Sequence, residues 1–393
     1  QPLPPATYRP ASFAPGLGAF YFSGPGKVFR WSLSGDGAAL TQADVSGVLG
    51  IALRPDEQRL HATSGATVLA LNPSDLALLA TSPPLGDIFG QRSDPAWQFD
   101  GSGTAFLPSL VYASDGRALA SVSIGSAPEL SMRSPYWITT PTPTRAVGDL
   151  TDAPMLGDPG ANPLATHGSL AGSSLVASPS LHAVAASNPD GNVALYLSNH
   201  SGWTAGPNIG IGNAIVAITD DGQTLVTRNG SVFSTGSSVG NLNALLPQSE
   251  FAGGFGVTQD GRHALVYSYQ INAAQGPANN ALLRVVDLDQ ALLTSFSSTS
   301  VVSTIALDAP VGCTTLPLAS GESCQHSASI SLAPGSSSAF ILGPRAVVAV
   351  ALPASIAVQN AATTKRKRLD TKLHHLPQRT PLKRPLGAVP ARH

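Results

Sequence analysis

Ser238 lies at the centre of "GSSVG", residues 236–240, which satisfies the G-x-S-x-G pattern of a hydrolase nucleophile. That pattern exposes a reactive serine only where a strand turns sharply into a helix on an α/β sheet. Here the preceding residues alternate as in a β-strand, and no helical periodicity follows. The match is also common by chance in a chain with so much glycine and serine. We therefore predict no catalytic residue, Ser238 included.

Carboxylates and histidines could do chemistry by holding a metal at the mouth of a channel. Aspartates directly precede a glycine in several predicted turns, and turn geometry accounts for them: Asp36, Asp115, Asp190, Asp221 and Asp260. The histidines before residue 359 have no metal-ligand spacing, and His182 and His263 occupy equivalent positions after turns. We predict no metal site and no cofactor. A lactonase-type hydrolase with Ca²⁺ at a central channel is the alternative.

Four aromatic residues are the candidate binding residues, because exposed aromatic side chains stack on sugars or anchor protein partners. They are Trp97, Tyr136, Trp137 and Trp203. Packing between structural repeats is the alternative role for each. Trp137 is the strongest candidate, since the proline-rich residues around "PYWITT" indicate a surface loop. The sequence thus favours a protein or glycan ligand.

The two cysteines, Cys313 and Cys324, are close together in "GCTTLPLASGESC". A pair at this separation in a loop can form a disulfide in an oxidising compartment, although two unrelated free thiols are the alternative. A zinc site is not predicted, because only His326 is near and there is no second pair of cysteines. A disulfide would place the protein outside the cell, on its surface or in a periplasm.

The elements that must position these residues repeat along the chain. "AIVAITDDGQTLVTRNGSVFSTGSSV" (214–239) and "GFGVTQDGRHALVYSYQ" (254–270) are two copies of one pattern. In each, alternating runs are separated by Asp-Gly or Asn-Gly, which indicates hairpins with type I′ turns. The repeat length of roughly 40 residues is typical of the blades of a β-propeller.

The pattern predicts an all-β propeller over residues 18–358, with seven blades of mostly four antiparallel strands. Six or eight blades are the alternatives. Residues 1–17 are interpreted as an N-terminal extension. Residues 125–170 are rich in proline, which argues against a central strand, and are interpreted as a surface insertion. A degenerate blade is the other interpretation of this segment.

Two segments carry a resemblance to a known family. "VTQDGRHALVYS" resembles the strand–Asp-Gly–strand unit of propellers with YVTN-type or WD40-like repeats, and "LRVVDLDQALLTSF" resembles their strand that leads into the outer strand. The Trp-Asp dipeptide and the Gly-His opening of true WD40 blades are absent. The resemblance implies a propeller, but such propellers include enzymes, adhesion modules and scaffolds.

Charge is distributed unevenly. The net charge is −1, yet residues 359–393 contain nine Lys and Arg and a single acid, Asp370. This tail is predicted to be disordered. It is interpreted as a segment that contacts an anionic surface, and a solvated tail without a partner is the alternative. The acidic remainder is a poor nucleic-acid binder. The apolar run before "KRKR" resembles a stop-transfer signal, but Arg345 and Pro353 interrupt it. No transmembrane segment is expected.

Together these features predict a secreted or cell-surface protein with a non-catalytic binding or scaffold function. Loops between the blades would hold the partner. A propeller hydrolase is one alternative, and a structural or adhesion subunit of a larger surface protein is the other. The sequence does not determine the oligomeric state.

Overall fold

Short antiparallel strands form almost all of the regular structure in a computed structural model of the chain. The structure describes residues 1–81, 104–125, 137–139 and 174–356, apart from gaps at 5, 34–38, 66, 117, 188–190, 200–201, 211–212, 235, 272–277, 309 and 313–326. Residues Gln1–Val358 form one unit, and Gln359–His393 form a second unit that lies outside the described residues. The disorder of the tail therefore stays a prediction.

The strands form seven antiparallel sheets, each built from strands that are consecutive in the sequence. Sheet 1 contains β1 (Arg9–Ala14), β2 (Ala19–Gly24), β3 (Lys27–Ser32) and β4 (Ala39–Asp44), and sheet 2 contains β5 (Val48–Leu53), β6 (Leu60–Ser64), β7 (Thr67–Leu71) and β8 (Leu78–Thr81). Sheet 3 contains β9 (Thr104–Tyr112), β10 (Ala118–Gly125) and β11 (Trp137–Thr139), and sheet 4 contains β12 (Ser174–Ala177), β13 (Ala183–Ser187), β14 (Val193–Leu197) and β15 (Gly202–Ala205).

The remaining three sheets follow in the same way. Sheet 5 contains β16 (Ile215–Ile218), β17 (Thr224–Thr227), β18 (Ser231–Ser234) and β19 (Ser237–Asn241), and sheet 6 contains β20 (Glu250–Val257), β21 (His263–Ile271), β22 (Ala278–Asp287) and β23 (Val301–Ala306). Sheet 7 contains β24 (Ser329–Leu332), β25 (Ser338–Leu342) and β26 (Val347–Ala351).

The first strands of the sheets contact one another in a closed ring. β1 contacts β5, β5 contacts β9, and the sequence continues through β12, β16, β20 and β24 back to β1. A ring of antiparallel sheets with the first strand of each at the centre is a β-propeller. The predicted fold class, an all-β propeller with mostly four-stranded blades, is confirmed.

The N-terminal residues complete sheet 7. Pro2 forms an antiparallel bridge with Ala346, and the backbone N–H of Val347 donates to the carbonyl of Gln1 at 3.0 Å. These bonds place the first residues beside β26, in the position of a fourth strand. Six sheets therefore form complete four-stranded blades, one fewer than predicted, and six was the stated alternative. Sheet 3 has three strands among the described residues.

Two predicted segment boundaries need correction. Residues 1–17 are not an extension, because Arg9–Ala14 form the first strand of sheet 1. The strand sequence, "RPASFA", lacks a turn signal and has a proline at its second position, so periodicity alone did not identify it. The predicted insertion 125–170 includes β11, which pairs with β10 through Ser121 and Trp137. The rest of that segment lies outside the described residues.

The core lies between the sheets. Strands β2 (AFYFSG) and β13 (AVAAS) are buried at every position, because a neighbouring sheet covers each of their faces. Outer strands such as β8 and β23 are largely exposed. Separate clusters of buried side chains fill the spaces between successive sheets, for example between sheets 5 and 6 and between sheets 6 and 7.

The turn between the first and second strands has one repeated geometry. In sheet 5 the N–H of Thr219 donates to the carbonyl of Thr224, and the Thr219 hydroxyl donates to Asp221 at 2.6 Å. Thr258 and Asp260 repeat these contacts in sheet 6. Only the glycine after the aspartate has a positive φ. The turns are therefore not type I′, because the aspartate accepts side-chain and backbone hydrogen bonds in an ordinary conformation.

Candidate functional site on sheet 6

Sheet 6 is larger than its neighbour in the ring. Its first three strands have 8, 9 and 10 residues, whereas the first three strands of sheet 5 have four each. The extra length comes at the end of β21 and the start of β22, where the sequence contains the segment "INAAQGPANN". A β21–β22 hairpin of this length extends past the equivalent strand ends of sheet 5.

A buried ion pair crosses sheet 6 on the side toward sheet 5. Arg284 on β22 donates to both carboxylate oxygens of Glu250 on β20, at 2.6 and 3.1 Å. The hydroxyl of Ser268 on β21 donates to the same carboxylate at 2.9 Å, and Arg284 also reaches Thr304 on β23 at 3.3 Å. The Glu250 side chain is only 5% exposed. The network connects all four strands through satisfied polar groups.

Aromatic side chains occupy the opposite side of sheet 6. Tyr267 is fully buried in the core shared with sheet 7, and its hydroxyl accepts a bond from the N–H of Val311 at 3.2 Å. Burial raises the pKa of Tyr267 to about 12, so the phenol stays neutral. Phe251 stacks on Tyr269 with 6.0 Å between ring centroids and is itself about half exposed.

A short helix interrupts sheet 6 where the sequence predicted a strand. "LDQALL" forms helix α1 (Leu288–Leu293), although "LRVVDLDQALLTSF" resembled a strand leading into the outer strand. Asp287 caps the helix by accepting a hydrogen bond from the N–H of Gln290 at 2.9 Å. An aspartate followed three residues later by a glutamine is a helix-start signal. That signal was present in the sequence and could have identified the helix.

Exposed apolar side chains concentrate on sheet 6 and its connections. Among the residues described, the exposed large hydrophobic side chains are Leu78, Leu79, Phe251, Leu292, Leu293 and Val302. Four of these six belong to sheet 6 or to the segment that connects β22 with β23. Sheet 2 carries the other two, on its edge strand β8. Phe251 pairs with Tyr269 at one end of β21. Leu292, Leu293 and Val302 lie near the other end, where Asp287 pairs with His263. Exposed apolar patches on a folded surface are typical of binding sites.

The predicted aromatic site lies largely outside what the structure describes. Trp137 lies on β11 and Trp203 on β15, in two different sheets, and their side chains are not described. Trp97 and Tyr136 lie outside the described residues, as do Cys313 and Cys324. The predicted binding residues and the predicted disulfide therefore stay predictions. Phe251, Leu292 and Leu293 were not among the predicted site residues.

The serine and the histidine considered for catalysis or metal binding lie on or beside ordinary strands of the sheets. Ser238 is exposed on β19 opposite Phe233 of β18, so it is not at a strand-to-helix turn. His182 directly precedes β13, and its Nδ1 lies 2.7 Å from the Ser114 hydroxyl of the preceding sheet. Within the described ranges, no three His, Cys, Asp or Glu residues form a group that could hold a metal. In the same ranges, no helix is long and apolar enough to cross a membrane.

A histidine–tyrosine pair connects sheets 2 and 3. The Tyr112 hydroxyl and His61 Nδ1 form a hydrogen bond, and both side chains are buried. Burial, reinforced by the Arg54 and Arg59 guanidinium groups, lowers the pKa of His61 to about 4. Burial also raises the pKa of Tyr112 above its usual range. With both groups neutral and covered, the pair stabilises the contact between two sheets and is closed to a substrate.

Comparisons with known proteins provide no family for this chain. No protein-family model matches it, and no curated protein matches it. The chain is similar to a solved β-propeller domain of Myceliophteria thermophila Cps50 (Swd1), at 11% identity and a TM-score of 0.46 over 90% of this chain and 98% of that one.

It is also similar to the structure of U3-55K, at 10% identity and a TM-score of 0.48, with 90% of this chain and 98% of that chain covered. The RRP9 WD40 repeats match at 10% identity and a TM-score of 0.44, over 87% and 93% of the two chains. All three TM-scores are below 0.5. The propeller assignment therefore rests on the sheets and the ring of first strands of this chain itself.

Proposed function

We propose that this protein is a non-catalytic binding scaffold whose propeller presents sheet 6 to a protein partner. The observation that supports the proposal is the concentration of exposed apolar side chains on sheet 6 and the segment between β22 and β23. A fold that buries apolar residues on both sides of its inner strands gains nothing in stability from leaving these outside. Exposed apolar anchors are, however, what protein interfaces use.

The rigidity of sheet 6 supports the same function. The Glu250–Arg284 network and the buried Tyr267 fix the backbone from opposite sides of the sheet. A surface held in one conformation loses little entropy when a partner binds. The structural role of the turn aspartates and of the His61–Tyr112 pair further favours binding over catalysis.

An experiment on the natural partner tests this function. The purified chain, bound to a support through its tail, is incubated with extract of the source cells, and retained proteins are cross-linked and identified. We expect a partner whose cross-links map to sheet 6, and a variant with Phe251→Ser and Leu293→Ser that loses it. Partners that map only to other sheets would contradict the proposal, and so would turnover of ester or lactone substrates.

The blade number and the cellular location also belong to the proposal. We infer that sheet 3 is a seventh blade, because β9 contacts both β5 and β12 in the ring. We further propose that the protein functions outside the cytoplasm, on the basis of its low charge and the spacing of its cysteines. Mass analysis without reduction tests the second point, since a Cys313–Cys324 disulfide would leave both peptides linked.

A further inference from the structure

Helix α1 presents apolar residues to solvent although its inner side is already packed. Leu288 and Ala291 are buried against the core between sheets 5 and 6. Leu292 is 44% exposed, and Leu293, at 87%, is the most exposed of the large hydrophobic side chains described. Val302, on the second residue of β23, is 49% exposed. The α1 surface is defined here as Leu292, Leu293 and Val302 together with the acidic residues Asp287 and Asp289.

The loop after α1 keeps this surface in place. Ser295 and Phe296 have φ angles of 52° and 59°, a conformation that is unfavourable for residues other than glycine. The Phe296 N–H donates to the carbonyl of Ala291 at 2.8 Å, and its ring is buried beside Gly240. The hydroxyls of Thr294 and Ser300 meet at 2.9 Å and close the loop. These contacts hold the loop that returns the chain from α1 to β23.

The residues around α1 are mainly acidic. Asp287 and Asp289 lie at the start of the helix, and Asp260 lies on the adjacent turn, because the N–H of Leu288 donates to the carbonyl of Arg262. Arg262 is the one cation among these neighbours, and its Nε is 3.8 Å from Asp260. Three carboxylates against one guanidinium leave the exposed leucines in a negative potential. A partner with the complementary charge is attracted to it.

We propose that the α1 surface docks a protein segment in which apolar anchor residues are interspersed with lysine and arginine. The apolar anchors cover Leu292, Leu293 and Val302, and the cations face Asp287 and Asp289. This inference rests on the proposed scaffold function and specifies one of its binding surfaces. Leucines supply the contact area at the centre, and the carboxylates at the rim select the charge of the partner.

Three synthetic peptides test the proposal by fluorescence anisotropy against the full chain. The first is an amphipathic helix with leucines on one side and lysines elsewhere. The second replaces its leucines by serine, and the third replaces its lysines by glutamate. We expect only the first peptide to bind, with an affinity that falls as salt is added.

Matched variants locate the binding surface. Leu293→Ser should weaken binding by about tenfold, as expected for a central apolar contact. Its control is Leu78→Ser, which changes an exposed leucine on sheet 2 and should leave binding unchanged. Asp289→Asn should weaken binding by about threefold and reduce the salt dependence. Its control is Asp308→Asn, an exposed acid that follows β23 at the opposite end from α1.

The outcomes separate this inference from the scaffold function. Equal binding of the first peptide to the Leu293→Ser variant and the unchanged protein would overturn the α1 surface, and so would binding of the serine peptide. The natural partner could then still be retained through another part of sheet 6, which would preserve the scaffold function. If no natural partner is retained but the three peptides behave as expected, the scaffold function is contradicted and the α1 surface is not. Thermal unfolding of each variant shows that it is folded.

Discussion

Sheets 5 and 6 are neighbours in the same ring and have the same four-strand order, yet they differ in almost every other respect. The first three strands of sheet 5 have four residues each, and the turn between its first two strands is fixed by the side chains of Thr219 and Asp221. Sheet 6 has strands of 8 to 10 residues, a buried ion pair, a helix before its last strand and most of the exposed apolar side chains.

The difference indicates which residues the propeller itself requires. Both sheets share the Thr-x-Asp-Gly turn and a second strand whose central residues are buried, so these features belong to the common blade. The features that sheet 5 lacks are therefore additions to the blade and candidates for function. Four experiments can break or sharpen this comparison.

The largest effect is expected from breaking the ion pair of sheet 6. Glu250→Ala leaves the mostly buried Arg284 guanidinium without its partner, which should destabilise the protein by about 4 kcal/mol. The urea midpoint of unfolding measures the loss. Lys27→Met is the control, because its pair with Asp44 is exposed and should contribute less than about 0.5 kcal/mol. Equal midpoints for the Glu250→Ala variant and the unchanged protein would show that the network is dispensable.

Acid should weaken the contact between sheets 2 and 3, which sheets 5 and 6 do not share. The pKa of His61 is about 4 in the folded protein and near 6.5 in the unfolded chain, so only the unfolded chain takes up this proton between those values. Stability should fall as pH falls from 6.5, by about 3 kcal/mol at pH 4. Hydrogen exchange at pH 5 should rise first in β6 and β9. His61→Gln should remove this part of the pH dependence; an unchanged slope would exclude His61 as its source.

The contact of Gly240 with Phe296 links sheet 5 to the loop of sheet 6. A Cβ at Gly240 would be 2.0 Å from a ring carbon of Phe296, so Gly240→Ala should destabilise the protein by about 2 kcal/mol. Thermal unfolding measures this loss, and Ser238→Ala on the exposed part of the same strand is the control. Adding Phe296→Leu to Gly240→Ala should recover part of the lost stability. Additive losses in the double variant would mean that the two residues are not coupled.

The smallest effect is expected from the Thr-x-Asp-Gly turn that sheets 5 and 6 share. Asp221→Ala in sheet 5 and Asp260→Ala in sheet 6 each remove an acceptor from equivalent turns, and each should cost about 1 kcal/mol. Urea unfolding should give the same loss for both within about 0.5 kcal/mol. A much larger loss in one sheet would show that its turn has a role beyond the shared geometry.

The repeated turns explain why the fold was predictable and most of the site was not. Asp221-Gly222 and Asp260-Gly261 specify hairpins locally, and their spacing in the sequence indicates the propeller. Glu250 and Arg284 are far apart in the sequence and meet only because β20, β21 and β22 align. Helix α1 had a local signal, Asp287 with Gln290, but the resemblance to an outer strand favoured the wrong structure. The positive φ angles of Ser295 and Phe296, in the loop after α1, have no recognisable signal in the sequence.

The bridge between Pro2 and Ala346 has a consequence for the order of events during synthesis. Pro2 is made long before its partner Ala346 in the last sheet, so it can pair only after nearly the whole propeller has been made. Closing a chain of this length has an entropic cost of about 5 kcal/mol, which is recovered only when the last sheet packs into the ring. We therefore expect ring closure to be a late and slow step of folding, preceded by sheets that each form from adjacent sequence. Until that step, the outer edge of β26 remains open to pairing with another chain.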